Sequence, residues 1–335
     1  MIYTDRIYGP VEISEPVLLE LVDTTAMQRL QGVLQHGISG LVGITRATSR
    51  YEHSMGVFIL VRRLGCSLEE QIAALLHDIS HTAFSHVIDY VFGDHHSQSY
   101  HEEKKVAYLT TTEVPRLLER YGYEWCDLLC LEDLALADRF PTLEQPAPAL
   151  CADRLDYFLR DSYDLGLATQ TEVEQVLAHL HTRHGKMVLD DQQTALWVGR
   201  TYLEADQASW ANFREVGLYE VAAQAIRRGL EAGFLTPADL WSTDRPTWQK
   251  LGASADPELQ AILKLVSPDT VFVRDEAQPT FRISTKLRTV DPDILIDGRT
   301  QRLSELDPDF ARVRTAYLTE QSGLWPIRVI PPPGV

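Results

Sequence analysis

The residues best suited to chemistry are histidines, and they are unevenly spread. The chain has 11, of which His53, His77, His81, His86, His95, His96 and His101 crowd one stretch with acids close by. His77-Asp78 closes the apolar run ALLHD. A single histidine at the edge of an apolar helix is ordinarily a core residue with its hydrogen bonds met. An aspartate at the inner end of such a run is different, because a buried carboxylate is costly unless its charge is compensated. A divalent cation is one such compensator, and it needs more than two ligands. The segment Tyr51-Glu52-His53-Ser54 offers a second imidazole on an earlier helix, and Asp153, in CADRLDYFLRD, a second carboxylate on a later one. Two imidazoles and two carboxylates suit Mn, Fe, Mg, Zn or Ni better than a thiolate-bound structural zinc. Such a set leaves positions open for water and a phosphoryl oxygen, the arrangement that metal-assisted hydrolysis requires.

Helices must position these groups. The spacing of apolar residues predicts helices over 16–35 (broken near Asp23-Thr24-Thr25), 51–64, 86–92, 102–109, 114–121, 125–129, 150–165, 170–182, 192–211 and 216–232. Another begins at Ser67, a serine cap followed by acids, and runs into His77-Asp78. If it continued, His77 and His81 would share a face. Residues 2–14 read as a short hairpin edge, 36–50 as a loop, and PTLEQPAPAL as a connector. His184-Gly185-Lys186 reads as a turn into a brief strand at 187–189. Beyond Pro268 come short strand candidates at 270–273, 280–284, 292–297 and 325–330, with one helix at 306–322. The fold class is therefore mainly α, with a small C-terminal α/β appendage. The expected division is 1–235 for the principal domain and 236–335 for a helical and α/β subdomain packed on it.

Composition narrows the function. With 48 acids against 31 bases, the formal charge is −17, so the average surface repels nucleic acid and anionic membrane. No stable nucleic-acid binding is expected. A metal and a few arginines can still invert the field within one cleft. No run approaches the length of uncharged apolar sequence needed to cross a bilayer. The start, MIYTDRIYGPVEIS, lacks the pattern of a secretory leader, and four cysteines without a paired grid read as buried thiols in a reducing compartment. The expected location is the cytoplasm. His95 and His96 read as exposed loop residues, and His179, His181 and His184 as exposed helix-end residues.

Four motifs in order, RYEHSMGV, ALLHDISHTAFSHVID, YHEEK and DRLDYFLRDSYDLG, resemble the HD-domain phosphohydrolases, and within them the branch of deoxynucleoside triphosphate triphosphohydrolases. The likeness runs from residue 1 to about 235 and extends to RTVDPDIL and QRLSEL. It implies an HD helical bundle with His53, His77, Asp78 and Asp153 as ligands of a divalent metal ion. It implies that His81 is a catalytic histidine, that His101 and Glu102 form a second catalytic element positioning it, and that Asp89 supports it. Arg50, His86 and Arg154 match groups on the substrate phosphates. Tyr157, Asp161 and Tyr219 match residues near the sugar, and Gln35 one that reads its 3′-hydroxyl. A homo-oligomer is expected from the resemblance alone.

The chain also departs from that branch. Gln31 stands where an activator-site arginine is expected, although Asp23 is present; His36 replaces a leucine beside Gln35; Arg154 replaces a lysine. The resemblance implies a metal-dependent phosphohydrolase whose substrate is a nucleotide, cleaving dNTPs to deoxynucleoside and triphosphate. The alternatives are an HD hydrolase of a nucleoside monophosphate or nucleotide second messenger, and a catalytically quiet regulatory protein built on the same fold. In the chemistry expected, His81 exchanges a proton with the leaving sugar oxygen while Arg50, His86 and Arg154 neutralise the phosphates.

Overall fold

A computed structural model describes residues 1–93, 98–131 and 133–334. His95 and His96 lie outside the described residues. At its centre is the Arg50–Arg63 helix, buried along Arg50 and His53–Val61. Its start is fixed by a reciprocal cap: Ser49 Oγ accepts from the Glu52 amide at 3.1 Å, and the Glu52 carboxylate accepts from the Ser49 amide at 2.8 Å. The cap places His53 one turn inside the helix, under cover.

Two helices flank this one. The Leu68–Leu76 helix starts at its expected Ser67 cap and ends at His77. It does not continue to His81. The chain turns at once, and the His81 amide donates to the Asp78 carbonyl at 3.0 Å. A turn, not helical spacing, brings His81 back to the dyad. The Ala152–Asp164 helix packs on the other side, and its approach is so close that a Cβ at Gly56 would collide with the Asp156 and Arg160 side chains. Only hydrogen fits there.

Several expected boundaries shift. The 170–182 helix ends at Ala178, and Leu180–Arg183 is a strand paired with Lys186–Leu189. His184 and Gly185 between them both have positive φ, 51° and 77°, the two-residue turn that matches strand twist. The 192–211 helix ends at Ala205 in a single wide turn over Asp206–Trp210. Short helices at Ile38–Leu41 and Asp133–Arg139, and a strand at Arg299–Arg302, were not expected. That strand is exposed along its length, so no apolar alternation marks it. Of the cysteines only Cys151 is buried; Cys126 is exposed, and Cys66 and Cys130 are half-buried. His179, at the helix end as expected, and His181, on the strand hairpin, share Asp190 at 2.7 and 2.8 Å, and both side chains are exposed.

The C-terminal segment does not stand apart. Strand Asp293–Ile296 pairs in parallel with Lys186–Leu189 through Leu189 and Ile294, and antiparallel with Arg299–Arg302. A second sheet places Trp325–Ile330 between Val271–Arg274 and Phe281–Ile283. Val290, Ile294, Leu303 and Phe310 join the core that contains Phe58, Leu75 and Phe158. Ile38, Phe84 and Val87 join a second core with Phe272 and Ile327. Both cores cross the expected division at residue 235, which brings residues 285–289 to the cleft described next. Among the described residues no helix is long and apolar enough to cross a membrane.

Candidate metal centre and its cavity

Three of the expected ligands, His53, His77 and Asp153, form one group, and Asp78 borders it while grouping with His81 and His101. His53 Nε2 lies 3.0 Å from Asp153 Oδ1, 3.2 Å from His77 Nε2 and 3.7 Å from Asp78 Oδ2. His77 Nε2 lies 3.5 Å from Asp78 Oδ1 and 3.7 Å from Asp153 Oδ1. Ligands held at about 2.1 Å from a cation sit about 3.0–3.4 Å apart when they subtend right or tetrahedral angles. The nest has that size.

Its charge and tautomers fit as well. The Nδ1 of His53 pairs with Asp156 Oδ2 at 2.7 Å, and the Nδ1 of His77 with the Ala74 carbonyl at 2.8 Å. Both rings are thereby oriented with Nε2 toward the nest, the usual arrangement of imidazoles that hold a metal. Burial alone would push the His53 imidazole down, but hydrogen bonds to Asp153 and Asp156 pull it up to about 10. Burial would raise Asp153, yet His53 and His77 hold its carboxyl well below the usual range. Asp78 is depressed likewise, against the pull of burial, by Arg50, His77 and His81. The carboxylates thus favour positive charge within the nest, the place a divalent cation would take. His53, His77, Asp78 and Asp153 are the residues that would hold it.

Behind the nest runs a buried support that was not singled out in the sequence. Asp156 Oδ2 also accepts from Arg160 Nε at 2.8 Å, and Arg160 Nη2 donates to Asp5 Oδ2 at 2.7 Å on the N-terminal hairpin. Asp156 and Arg160 are 0% and 1% exposed, so this pair is not a solvated one. Only the fold shows that it lies buried beneath His53.

In front of the nest lies a cavity of about 710 Å³. Every expected site residue lines it except His53 and Asp89, which sit behind its wall. His81 is buried, with Nε2 3.3 Å from Asp78 Oδ1, and its ring stacks on His101 at 3.8 Å. Burial, then Arg50 and His101, push its imidazole well below the ordinary histidine value. His101 Nε2 faces Glu102 Oε1 at 3.2 Å, and Lys105 holds the other Glu102 oxygen at 2.5 Å. Asp89 corrects an expectation: its Oδ2 takes His86 Nδ1 at 2.9 Å and its Oδ1 the Tyr100 amide at 3.1 Å, so it orients His86, one helical turn away in sequence, rather than His81.

Arg50 reaches across the cavity wall. Nη1 donates to Asp78 Oδ2 at 2.6 Å and Nε to Ser85 Oγ at 3.0 Å, while Nη2 is buried with no partner among the described residues. Gln35 Oε1 is a buried acceptor in the same condition. Arg154 differs from expectation. Its guanidinium donates to the carbonyls of Gln145 and Ala149 and pairs with Glu144 at 3.0 Å, so it braces the 144–149 loop. Asp161 spends one oxygen on His36 Nε2 at 3.0 Å and the other on Trp210 Nε1 at 2.6 Å. Tyr157 shares a short hydrogen bond with Tyr202, and Tyr219 donates to the His36 carbonyl at 3.1 Å. Lys286, Arg288 and Arg314 also line the cavity. Nothing in the sequence reading marked them, apart from the motif RTVDPDIL that begins at Arg288.

A helical scaffold presenting a His/His-Asp/Asp nest at the foot of a polar cleft defines a metal-dependent hydrolase class. Comparison with known proteins agrees. The HD domain family matches residues 50–161. The chain is 38% identical to the metal-dependent phosphohydrolase cns2 of Cordyceps militaris, over 95% of this chain and 92% of that protein. It is 36% identical to the uncharacterized protein YdhJ of Bacillus subtilis, over 96% and 97% of the two chains. Identity to the deoxynucleoside triphosphate triphosphohydrolase SAMHD1 of Gallus gallus is 25%, over 52% of this chain and 36% of that one. Among solved structures, a hypothetical protein from Aquifex aeolicus superposes with a TM-score of 0.66 at 19% identity, over 93% of each chain, and shares the fold. The chain belongs to the HD-domain metal-dependent phosphohydrolases.

Proposed function

We propose that this phosphohydrolase acts on nucleotides and cleaves dNTPs to deoxynucleoside and triphosphate. One observation carries the reading: a single cavity joins the metal nest, the unpartnered Arg50 Nη2 and the unpartnered Gln35 Oε1. The first two suit a phosphoryl group and the third a sugar hydroxyl. The cavity is of the size that encloses a nucleotide. When bound, a divalent cation supplies an acidified water and polarises phosphorus. Arg50 binds a phosphate oxygen and orients the group to be cleaved. His81, held between Asp78 and His101, would take a proton from the attacking water and pass it to the leaving oxygen. His86, fixed by Asp89, lies edge-on to His81 with ring centroids 5.1 Å apart and meets the phosphates beside it.

A second reading is a hydrolase of a smaller phosphate substrate, such as a nucleoside monophosphate. What favours it is Arg154, whose donors are committed to the 144–149 loop and to Glu144. The test is a panel of dNTPs, NTPs and nucleoside monophosphates with Mn, Mg, Fe and Ni, with products resolved by anion-exchange chromatography. Intact triphosphate from a dNTP supports the first reading. Orthophosphate from monophosphates, with dNTPs untouched, replaces it with the second.

A further inference from the structure

The cations on the cavity wall are not equivalent. Arg50 faces Asp78, Arg154 faces Glu144 and Lys105 faces Glu102. Arg288 has only neutral partners: Nη2 donates to Gln98 Oε1 at 2.5 Å and Nη1 to the Lys286 carbonyl at 3.2 Å. Among the described residues it forms no ion pair with a carboxylate, and neither does Arg314, whose Nε donates to Thr289 Oγ1 at 3.0 Å. A guanidinium has five N–H donors, so the two bonds made by Arg288 leave others for a ligand.

The segment that carries these groups is built into place. Asp206 Oδ2 accepts from the Arg288 amide at 2.9 Å and from Tyr317 Oη at 2.9 Å. Arg288 lies near enough to act electrostatically on His86, Tyr157 and Tyr219, which line the same cavity as the metal ligands. Lys286, two residues away, lies on the same wall. In a chain of formal charge −17, a guanidinium such as Arg288, in a cleft and with no ion pair among the described residues, favours an anion that enters beside it.

We propose that residues 285–289 form a second anion station in the cavity, with Arg288 as its principal donor, and that it takes the phosphates remote from the metal centre in a polyphosphorylated substrate. The proposal deepens the nucleotide reading above: a substrate with one phosphate engages the metal nest and Arg50, and a substrate with three also engages Arg288. The C-terminal segment thereby sets specificity for phosphate-chain length, and Arg288 is a substrate-binding residue that the resemblance to triphosphohydrolases did not supply.

The test is calorimetric binding of inorganic tripolyphosphate and of orthophosphate to the full chain loaded with metal, in the wild type and in Arg288→Ala, Arg288→Lys and Arg312→Ala. Arg312 is exposed and off the cavity wall, and controls for the loss of one charge. We expect the wild type to prefer tripolyphosphate. Arg288→Ala should weaken tripolyphosphate by about tenfold or more, the scale of one charge-assisted pair, and leave orthophosphate within about twofold. Arg288→Lys should fall between, and Arg312→Ala should match the wild type. Unchanged melting temperature in Arg288→Lys separates binding from folding. Equal weakening of both anions in Arg288→Ala, or no wild-type preference for tripolyphosphate, overturns the station. These outcomes do not depend on which nucleotide is hydrolysed. If dNTPs prove not to be substrates while tripolyphosphate still depends on Arg288, the function reading fails and the station stands.

Discussion

Asp156 Oδ2 receives both the Nδ1 of His53 at 2.7 Å and the Nε of Arg160 at 2.8 Å. One buried oxygen thus orients an imidazole of the candidate metal nest and ties it to the N-terminal hairpin through Arg160 and Asp5. Replacing Asp156 with Asn keeps the volume and removes the charge. We expect metal affinity to fall about 10–100-fold, the usual cost of losing such a support. Titration of the apo-protein with Mn or Zn, followed by calorimetry, checks this; unchanged affinity would assign Asp156 to packing alone.

Gly56 permits the approach of the two helices that carry His53 and Asp153. Gly56→Ala must displace Asp156 and Arg160 or part the helices. The expected destabilisation is about 1–3 kcal/mol, the range for overpacking a filled core. Urea denaturation gives that figure, and metal content after gel filtration should fall with it.

Arg50→Ala removes the donor to Asp78 and the unpartnered Nη2 together. Turnover of a triphosphate substrate should fall by about 100-fold or more, as for loss of one preorganised donor in an enclosed site. A monophosphate, if turned over, should lose a comparable amount, because Arg50 meets the phosphate that both substrates present to the nest. Steady-state kinetics on both, under one metal, decide the matter; a loss confined to the triphosphate would instead place Arg50 with Arg288 in chain-length discrimination.

Burial raises the Asp206 carboxyl to about 6, even with Arg288, the Arg288 amide and Tyr317 pulling it down. Its folded value therefore lies above its unfolded value near 3.8. The protonated form is favoured in the folded protein, so the contribution to stability is complete below about pH 4 and is lost as pH rises through about 6. Asp206→Asn does not titrate. We expect the variant to gain on the wild type between pH 4 and pH 7, by at most about 3 kcal/mol. Melting temperatures of both proteins across that range test the sign; a difference independent of pH contradicts it.

Much of this could be read from the chain before its fold was known. His53, His77, Asp78 and Asp153 were legible because each stands in a motif whose order is preserved, and the Ser67 cap because its chemistry is local. The positions that escaped depend on contacts distant in sequence. Arg288 stands at the cavity through contacts distant in sequence, its amide on Asp206 and the nearby pairing of Asp293–Ile296 with Lys186–Leu189, which no local pattern announces. Asp89 lies three residues from His86 and eight from His81; its partner follows from where the chain turns, not from what it is. The strand Arg299–Arg302 has no apolar alternation, and Asp297-Gly298, both at positive φ, was its only local sign.

Asp78 belongs to two assemblies at once, since it faces the histidine nest and also accepts from Arg50. Anything that draws on Arg50 alters the field at a metal-binding oxygen, and anything that draws on Asp78 frees or fixes Arg50. Cation and phosphate ligand are consequently thermodynamically coupled: each changes the affinity of the other by the same factor. The affinity of a phosphate ligand measured in chelator and that measured in saturating metal describe two corners of one cycle, and the apparent metal affinity of this protein should shift with the concentration of that ligand.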